Sequence, residues 1–298
     1  MPMEYFEQRE RALLGDRFDV LYAAPQETAE RGVTVSALRS SPEQFAAKAD
    51  FPLEASPFCK AAFVVHQPDD LKFRPGRHPY HHAGVFYSQE PSASSAAPLL
   101  GVQPGMRVLD ACAAPGGKSF AAAIAMGDRG EVVSCDIHPH KEKLIQAGAA
   151  RLGLTCIQTE VLDGKSCKEE FLDSFDLVIA DVPCSGLGII RKKPDIRYKD
   201  PKPLENLPSV QAAILDNVSR YVRPGGVLLY ATCTLLEREN EGVVRAFLDR
   251  CKDFTPERFQ LPGEFEDAET GMVTCWPHRH DTDGFFFAKL RRTKDGDI

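Results

Sequence analysis

Two of the nine cysteines in this 298-residue chain stand where a thiol could act as a nucleophile. Cys184 lies in the segment DVPCSGLG (181–188), and Cys233 lies in the segment YATCT (230–234). Each segment ends or directly follows a run of apolar residues that predicts a buried strand. A thiolate at the end of a strand can form a covalent bond with an electrophilic carbon atom of a substrate. We expect most of the other cysteines to be small buried side chains.

The chemistry that suits this pair of thiols is methylation of a carbon atom in a pyrimidine ring. Carbon 5 of cytosine is too weak a nucleophile to attack a methyl donor until a thiolate has added to carbon 6. An acid near ring nitrogen 3 stabilises the adduct, and Asp181 is placed for this role. A base must then remove the hydrogen from carbon 5. Methylation of an amino group needs no thiol, so Cys184 and Cys233 favour the ring carbon, although the residues alone do not say which thiol attacks.

A glycine-rich loop provides a candidate site for a nucleotide-like ligand. It consists of Cys112, Ala113, Ala114, Pro115, Gly116, Gly117 and Lys118, and it lies between a predicted strand and an alanine-rich helix. The two glycines let the backbone approach a ligand, and the start of a helix favours negative charge nearby. Asp136 ends the next predicted strand, where an acid commonly accepts hydrogen bonds from ribose hydroxyls.

A P-loop nucleotidase is the competing interpretation of this loop. Gly117, Lys118 and Ser119 match the end of a Walker A motif, and residues 177–181 resemble a Walker B strand. The motif requires a glycine five residues before Gly117, where this chain has Cys112. A P-loop enzyme also has no use for the two cysteines at strand ends, so the sequence disfavours this alternative.

Alternating strands and helices must position these segments. The pattern predicts an α/β domain with a doubly wound, mostly parallel sheet and a closing antiparallel strand. Strands are predicted over 106–111, 131–136, 175–181 and 226–233, helices over 141–152 and 211–221, and an antiparallel pair over 270–276 and 284–290. Parallel strands end at one edge of a sheet, so we expect the glycine loop and both cysteines to face one crevice.

Residues 1–90 predict a small α+β domain ahead of the catalytic domain, which is assigned to 91–298. Val33, Val35 and Leu38 indicate a short strand, and residues 60–65 indicate another. Between them, Ser41 followed by proline is typical of a capped helix start.

Composition and charge limit the classes of protein that the chain can represent. The longest apolar run, 120–126, is too short to cross a bilayer, and the N-terminal residues form no signal peptide. These two features predict a cytoplasmic protein. No two cysteines have the C-x-x-C spacing of a common zinc site, so we expect no metal. The net charge of −7 is unusual for a protein that binds nucleic acid. Basic residues do occur locally in 191–199, beside Tyr198, and at Lys72, Arg74 and Arg77, where we expect RNA contacts.

The segments described above resemble the RNA (cytosine-5) methyltransferase family, the Sun/RsmB/RsmF group. The matching motifs are DACAAPGGKS (110–119), Asp136, Asp163 in VLDG, DVPCSG (181–186), YATCTLLERENE (230–241) and PHRHDTDGFFFAKL (277–290). This resemblance implies a Rossmann-like methyltransferase domain that uses S-adenosylmethionine. It places the donor against residues 112–118, with Asp136 on the ribose, Asp163 near the adenine, and Asp181 near the methionine end and the target base.

The resemblance also assigns the two cysteines. DNA cytosine methylases use the Pro-Cys cysteine as nucleophile, whereas this RNA family uses the Thr-Cys cysteine. Cys233 is therefore implied to be the nucleophile and Cys184 to assist product release, with Lys118 held near the active site.

The substrate and the domain organisation are implied in the same way. Residues 78–92 resemble the RsmF branch, which acts mostly on ribosomal RNA, and residues 1–90 resemble its RRM-like N-terminal domain. We expect a monomer with no NusB-like extension before the catalytic part and no RNA-binding domain after residue 292. Transfer RNA is the alternative substrate, and a non-catalytic RNA-binding assembly factor is the alternative function.

Overall fold

A computed structural model describes residues 7–8, 10–12, 15–16, 18–19, 31–66, 74–200, 202–261, 268–280 and 282–294, except for the side chain of Arg197. These residues form two β-sheets with helices, which confirms the predicted α/β class with a mostly parallel sheet. The strands are β1 (Arg31–Val35), β2 (Leu53–Ala55), β3 (Ala62–Val65), β4 (Phe86–Ser88), β5 (Arg107–Asp110), β6 (Glu131–Asp136), β7 (Ile157–Val161), β8 (Phe175–Asp181), β9 (Val222–Thr232), β10 (Phe254–Pro256), β11 (Met272–Cys275) and β12 (Phe285–Arg292). The helices are α1 (Pro42–Lys48), α2 (Pro79–His82), α3 (Ala96–Leu100), α4 (Gly117–Ala125), α5 (Pro139–Leu152), α6 (Lys202–Glu205), α7 (Leu207–Ser219), α8 (Glu241–Arg250) and α9 (Pro277–His280).

The larger sheet has the strand order β10-β12-β9-β8-β5-β6-β7, and β11 also pairs with β12. Strands β7, β6, β5, β8 and β9 run parallel, and β12 closes the sheet antiparallel to β9. From β5 the chain moves outward to β6 and β7, then returns to β8 on the other side of β5. The loops that follow β5 and β8 therefore diverge and open a crevice at the carboxyl edge of the sheet.

The central strands are apolar along their whole length because helices cover both faces of the sheet. In β8, Leu177 and Ile179 belong to the core on the side of α4. Val178 and Ala180 belong to the core on the side of α7. This burial on two faces explains why the predicted bounds of β6 and β8 agree with the observed ones.

The start of β9 differs from the prediction. Helix α7 ends at Ser219, and β9 begins at Val222 instead of residue 226. Pro224 and Gly225 therefore lie inside the strand, at an irregularity in its pairing with β8. A proline has no N–H group to donate to the ladder, so it is tolerated where the ladder is interrupted. The sequence rule that ends elements at Pro-Gly failed here.

The smaller sheet is antiparallel with the order β2-β3-β1-β4. The predicted cap of α1 is confirmed, because Ser41 Oγ accepts a hydrogen bond from the N–H of Gln44 at 3.2 Å. The first predicted strand does not extend to Leu38. The N–H groups of Arg39 and Ser40 bond to the carbonyl of Ser36, so the chain turns there.

Partly buried hydrogen bonds join the N-terminal part, which contains the smaller sheet, to the part that contains the larger sheet. Arg151 of α5 donates from Nη1 to the carbonyl of His81 at 2.7 Å. On the other side, Glu90 Oε1 accepts the N–H of Asp283 at 3.1 Å. These hydrogen bonds join the N-terminal part to the end of α5 and to the segment that precedes β12. No helix among the described residues is long and apolar enough to span a membrane.

Candidate active site

The carboxyl edge of the larger sheet brings the predicted site residues together. The loop 112–118 follows β5, Asp136 ends β6, Asp181 ends β8, and Cys233 directly follows β9. Cys184 lies three residues beyond β8. The parallel arrangement of four strands thus places a glycine loop, two carboxylates and two thiols around one crevice.

The two thiols are in direct contact. Cys184 Sγ lies 3.2 Å from Cys233 Sγ, and the backbone N–H of Cys233 also donates to Cys184 Sγ at 3.3 Å. Both cysteines are partly buried and neither forms a disulfide. At this separation the Cys184 thiol can donate its hydrogen to the sulfur of Cys233.

This contact makes the two thiols chemically different. The hydrogen bond from Cys184 lowers the pKa of Cys233 despite the opposing effects of burial and of Asp181. Nearby Lys118 and Lys193 lower it further. The pKa of Cys184 is raised well above its ordinary value, first by the hydrogen bond to Cys233 and then by burial. We therefore assign Cys184 as the hydrogen-bond donor of the pair and Cys233 as the thiol that ionises more readily.

A buried ion pair faces the thiols. Lys118 Nζ lies 2.6 Å from Asp181 Oδ2 and 5.5 Å from the centroid of the Phe285 ring. Burial alone lowers the pKa of Lys118, but the Asp181 carboxylate more than offsets this effect, so the pKa is raised. About a third of the Asp181 side chain (32%) remains exposed, whereas Lys118 is 9% exposed. A charged lysine thus holds a carboxylate that a substrate can still reach.

The backbone of the glycine loop requires glycine at one position. Gly116 has φ = +109°, a left-handed conformation that side chains disfavour. A Cβ atom at Gly116 would also collide with the ring of Phe120. Helix α4 begins at Gly117, so its first N–H groups have no partner within the helix. The loop therefore lets a ligand approach its backbone closely and offers backbone N–H donors at the start of α4. A ligand that carries a carboxylate, such as an amino acid, can use these donors as a phosphate would.

Polar residues beneath the loop tie three elements together. Ser119 Oγ of α4 donates to Asp110 Oδ2 of β5 at 2.7 Å, and Ser134 Oγ of β6 donates to Ser119 Oγ at 2.8 Å. Asp110 is fully buried, and burial raises its pKa to about 7. No role for these residues was predicted from the sequence, although polar side chains inside an otherwise apolar strand are a signal that could have identified them.

Residues at the end of β6 fit a nucleoside. Asp136 Oδ1 accepts the N–H of His138 at 3.0 Å, while its Oδ2 has a longer contact of 3.6 Å to Lys141 Nζ. The next residue, Ile137, is 49% exposed, which is unusual for so large an apolar side chain. Asp163, after β7, is about a third exposed (32%). Two carboxylates and an exposed apolar side chain can hold a ribose and a base.

Cys112, in the loop itself, has a different character from the paired thiols. Burial raises its pKa far above the ordinary range, and the nearby Asp110 and Asp181 act in the same direction. Cys112 is therefore a neutral thiol that lines the loop. Within the described part of the chain, no group of three or more His, Cys, Asp or Glu side chains could hold a metal ion.

Two adjacent residues of the motif 230–241, to which the sequence assigned no role, hold the segments that carry the cysteines. Glu239 is fully buried, and its Oε2 accepts from the N–H of Ser185 at 2.9 Å and from Nε2 of Gln211 at 3.0 Å. Asn240 donates from Nδ2 to the carbonyl of Thr234 at 3.0 Å. Ser185 directly follows Cys184, and Thr234 directly follows Cys233. The hydrogen bonds of Glu239 and Asn240 therefore fix the positions of the two thiols relative to each other. The run of charged residues over 237–241 was the feature of the sequence that could have pointed to Glu239.

Comparison with known families decides where this site belongs. A family model described as 16S rRNA methyltransferase RsmB/F matches residues 97–291, well over half of the chain. The chain belongs to the RsmB/F methyltransferase family. A second model, the N-terminal domain of 16S rRNA methyltransferase RsmF, matches residues 1–91. The recognition made from the sequence motifs is therefore confirmed.

Individual relatives agree with this family. The probable ribosomal RNA small subunit methyltransferase B of Bacillus subtilis (strain 168) is 41% identical over 210 residues, which are 68% of this chain and 47% of that protein. The ribosomal RNA small subunit methyltransferase F of Enterobacter sp. (strain 638) is 32% identical over 98% of this chain and 63% of that protein. The chain thus spans about half to two thirds of the length of these relatives.

A solved structure shares the fold. The crystal structure of a methyltransferase homolog protein from Pyrococcus horikoshii superposes with a TM-score of 0.82 at 25% identity, and the match covers 96% of this chain and 93% of that one. For an RsmB/F chain the P-loop alternative no longer applies. Lys118, which it assigned to phosphates, is instead bonded to Asp181.

The hydrogen bond between the two thiols predicts how the reactivity of Cys233 depends on pH in this RsmB/F chain. Iodoacetamide alkylates thiolates, so the alkylation of Cys233 should rise with pH at a lower midpoint than that of an ordinary thiol. In a Cys184→Ala variant the hydrogen bond that lowers the Cys233 pKa is absent, and the midpoint should move to higher pH. Mass spectrometry of the Cys233 peptide after timed alkylation measures this shift. Identical profiles in the two proteins would show that Cys184 does not tune Cys233.

Proposed function

We propose that this chain is an S-adenosylmethionine-dependent RNA methyltransferase that forms 5-methylcytosine in ribosomal RNA. The observation that carries the proposal is the contact of 3.2 Å between Cys184 and Cys233, at the same sheet edge as the Lys118–Asp181 pair and the glycine loop. Paired thiols of unequal pKa suit covalent methylation of a ring carbon and have no use in methylation of an amino group. The names of the relatives favour ribosomal RNA over transfer RNA.

S-adenosylmethionine would supply an electrophilic methyl group in this site. Residues 112–118 would hold it through their backbone, with Asp136 accepting hydrogen bonds from the ribose hydroxyls and Asp163 near the adenine. The exposed side chain of Ile137 would cover one face of the adenine ring. Asp181 would lie at the methionine end, beside the target base. These assignments use the observed positions of the side chains at the ends of β5, β6, β7 and β8.

Cys233 would start the reaction. Its thiolate forms a bond to carbon 6 of cytosine, and the electron pair of the carbon 5–carbon 6 double bond moves through the ring. Nitrogen 3 takes a proton that passes from the Lys118 ammonium through the Asp181 carboxylate, whose Oδ2 lies 2.6 Å from Lys118 Nζ. Carbon 5 then bonds to the donor methyl carbon as the carbon–sulfonium bond breaks. When carbon 5 takes the methyl group, nitrogen 3 would return its proton to the Lys118–Asp181 pair. The target base must leave its stack to reach the crevice.

Cys184 would complete the reaction. The largest cause of its high pKa is the hydrogen bond to Cys233, and this cause disappears when the Cys233 sulfur becomes a thioether. Cys184 can then lose its proton to solvent and, as a thiolate, remove the hydrogen from carbon 5. The electrons of that C–H bond re-form the ring double bond and expel Cys233 as a thiolate. The same contact that activates the nucleophile thus also times its release.

Loss of the Asp136 carboxylate should weaken donor binding. Asp136→Ala removes a charged acceptor for the ribose, so we expect the dissociation constant for S-adenosylmethionine to rise by roughly tenfold to a hundredfold. Isothermal titration measures this constant, and thermal unfolding checks that the turn at His138 is intact. Asp249→Ala, which removes an exposed carboxylate on α8, is the matched control. Unchanged donor affinity in Asp136→Ala would place the ribose contact elsewhere.

The proposed reaction is tested by following labelled methyl groups into RNA. The protein is incubated with methyl-labelled S-adenosylmethionine and an unmodified 16S ribosomal RNA transcript, and the nucleosides are separated by mass spectrometry. We expect labelled 5-methylcytidine, whose position bisulfite sequencing then identifies. Label in N4-methylcytidine would contradict the proposal. Label only in transfer RNA assayed in parallel would replace the substrate and keep the reaction.

A further inference from the structure

A basic groove lies beside the crevice, between the smaller sheet and the catalytic part. It has a volume of about 690 Å³. The residues that characterise its lining are Arg31, Arg74, Arg77, Gln89, Glu90 and Lys192. Lys72, which the sequence groups with Arg74 and Arg77, lies outside the described residues. Four cations and one carboxylate therefore border a groove in a protein whose net charge is −7.

Two of the cations are available to a ligand. Arg74 and Arg77 are exposed, and neither side chain forms an ion pair with the part of the chain that the structure describes. The acid, Glu90, is already used, because its carboxylate accepts from Thr282 Oγ1, the N–H of Asp283 and the N–H of Ala93. The groove thus offers two free guanidinium groups, and the hydrogen bonds to Glu90 reduce the repulsion of an anion.

The groove borders the candidate active site. Gln89 lines it and donates from Nε2 to the carbonyl of Gly117, one residue before Lys118, at 3.3 Å. At another side, Lys192 borders the groove, and the next residue, Lys193, is close enough for its charge to lower the pKa of Cys233. The groove therefore lies next to the glycine loop and to the segment that carries Lys193.

We infer that this groove binds the phosphodiester backbone of the RNA strand that carries the target cytosine. The inference rests on the proposed function. Guanidinium groups form paired hydrogen bonds with phosphate oxygens, and contacts of this kind position a strand without reading its sequence. An anionic ligand also gives a role to Arg74 and Arg77, whose side chains form no ion pair with the described residues. The two arginines can attract a phosphate at this groove even though the net charge of the whole protein is negative.

The test neutralises both free arginines. Binding of a fluorescent 16S ribosomal RNA transcript to the R74Q/R77Q variant is measured at several salt concentrations. Each lost phosphate contact should reduce the slope of log Kd against log salt by roughly 0.7–0.9, so the two together should reduce it by about 1.5. Kd at low salt should rise by about tenfold or more. Affinity for S-adenosylmethionine should stay unchanged.

The matched control is R129Q/R220Q, which removes two exposed arginines at the opposite, amino edge of the sheet. It should keep the wild-type slope and Kd. An equal loss of affinity in both double variants, or a wild-type slope in R74Q/R77Q, would overturn the inference. Either result leaves the proposed reaction standing if labelled 5-methylcytidine still forms. Conversely, if R74Q/R77Q reduces the slope but the wild-type protein methylates no RNA, the proposed reaction is rejected and the role of the groove in binding RNA is retained.

Discussion

Cys233→Ala is expected to abolish methyl transfer to RNA while S-adenosylmethionine still binds. Without the thiolate, carbon 5 of cytosine is never activated, so turnover should fall by at least about 10³-fold, as when other enzymes lose their nucleophile. The proposed donor site lies at the ends of β5 and β6, away from the substituted atom, so donor affinity should remain within about twofold. Methyl incorporation from labelled S-adenosylmethionine and isothermal titration measure the two quantities.

A second cysteine provides the control for this substitution. Cys251 follows α8, outside the crevice, and Cys251→Ala should retain full activity. Turnover close to wild type in Cys233→Ala would reject the assignment of the nucleophile. The same experiment bears on a non-catalytic assembly factor, because such a protein would bind RNA and incorporate no label even with Cys233 intact.

Cys184→Ala is expected to trap the enzyme on its RNA. Cys233 can still attack and carbon 5 can still accept the methyl group, but the thiol that would remove the carbon 5 hydrogen is absent. A covalent protein–RNA adduct should therefore accumulate and appear as a band of low mobility on a denaturing gel. Turnover should fall by about 10²-fold or more, because general-base catalysis contributes this much.

The double variant Cys184→Ala/Cys233→Ala separates the trapped adduct from other crosslinks. It should form no band of low mobility, since the sulfur that bonds to the base is absent. If Cys184→Ala gives only free enzyme at wild-type turnover, Cys184 has no part in release. The contact of 3.2 Å between the sulfurs would then serve only to lower the pKa of Cys233.

The edge of the sheet at which the candidate site lies could be predicted from the sequence. Strands buried on both faces, such as β6 and β8, are continuous apolar runs whose ends are sharp, so Asp136 and Asp181 could be placed at their carboxyl ends. Strand β7 was missed because it lies at the end of the sheet order, where polar residues face solvent. Its sequence, IQTEV, contains too few apolar residues to indicate a strand.

The contacts inside the site could not be predicted in the same way. That Cys184 and Cys233 touch depends on the register of β8 against β9 and on the paths of two loops. The Lys118–Asp181 pair joins residues 63 positions apart. Glu239 looks like one more acid in a charged segment, yet it is fully buried and bonded to Ser185. These interactions arise from tertiary packing, which local patterns do not encode.

The most direct test of covalent catalysis by Cys233 uses RNA that contains 5-fluorocytidine. Fluorine at carbon 5 cannot leave as a proton does, so the enzyme remains bonded to carbon 6 after methyl transfer. Digestion of the trapped complex and mass spectrometry of the peptides identify the modified residue. We expect the methylated fluoropyrimidine on the peptide that contains Cys233. An adduct on the Cys184 peptide, or methylated RNA with no adduct on either cysteine, would contradict the proposed mechanism.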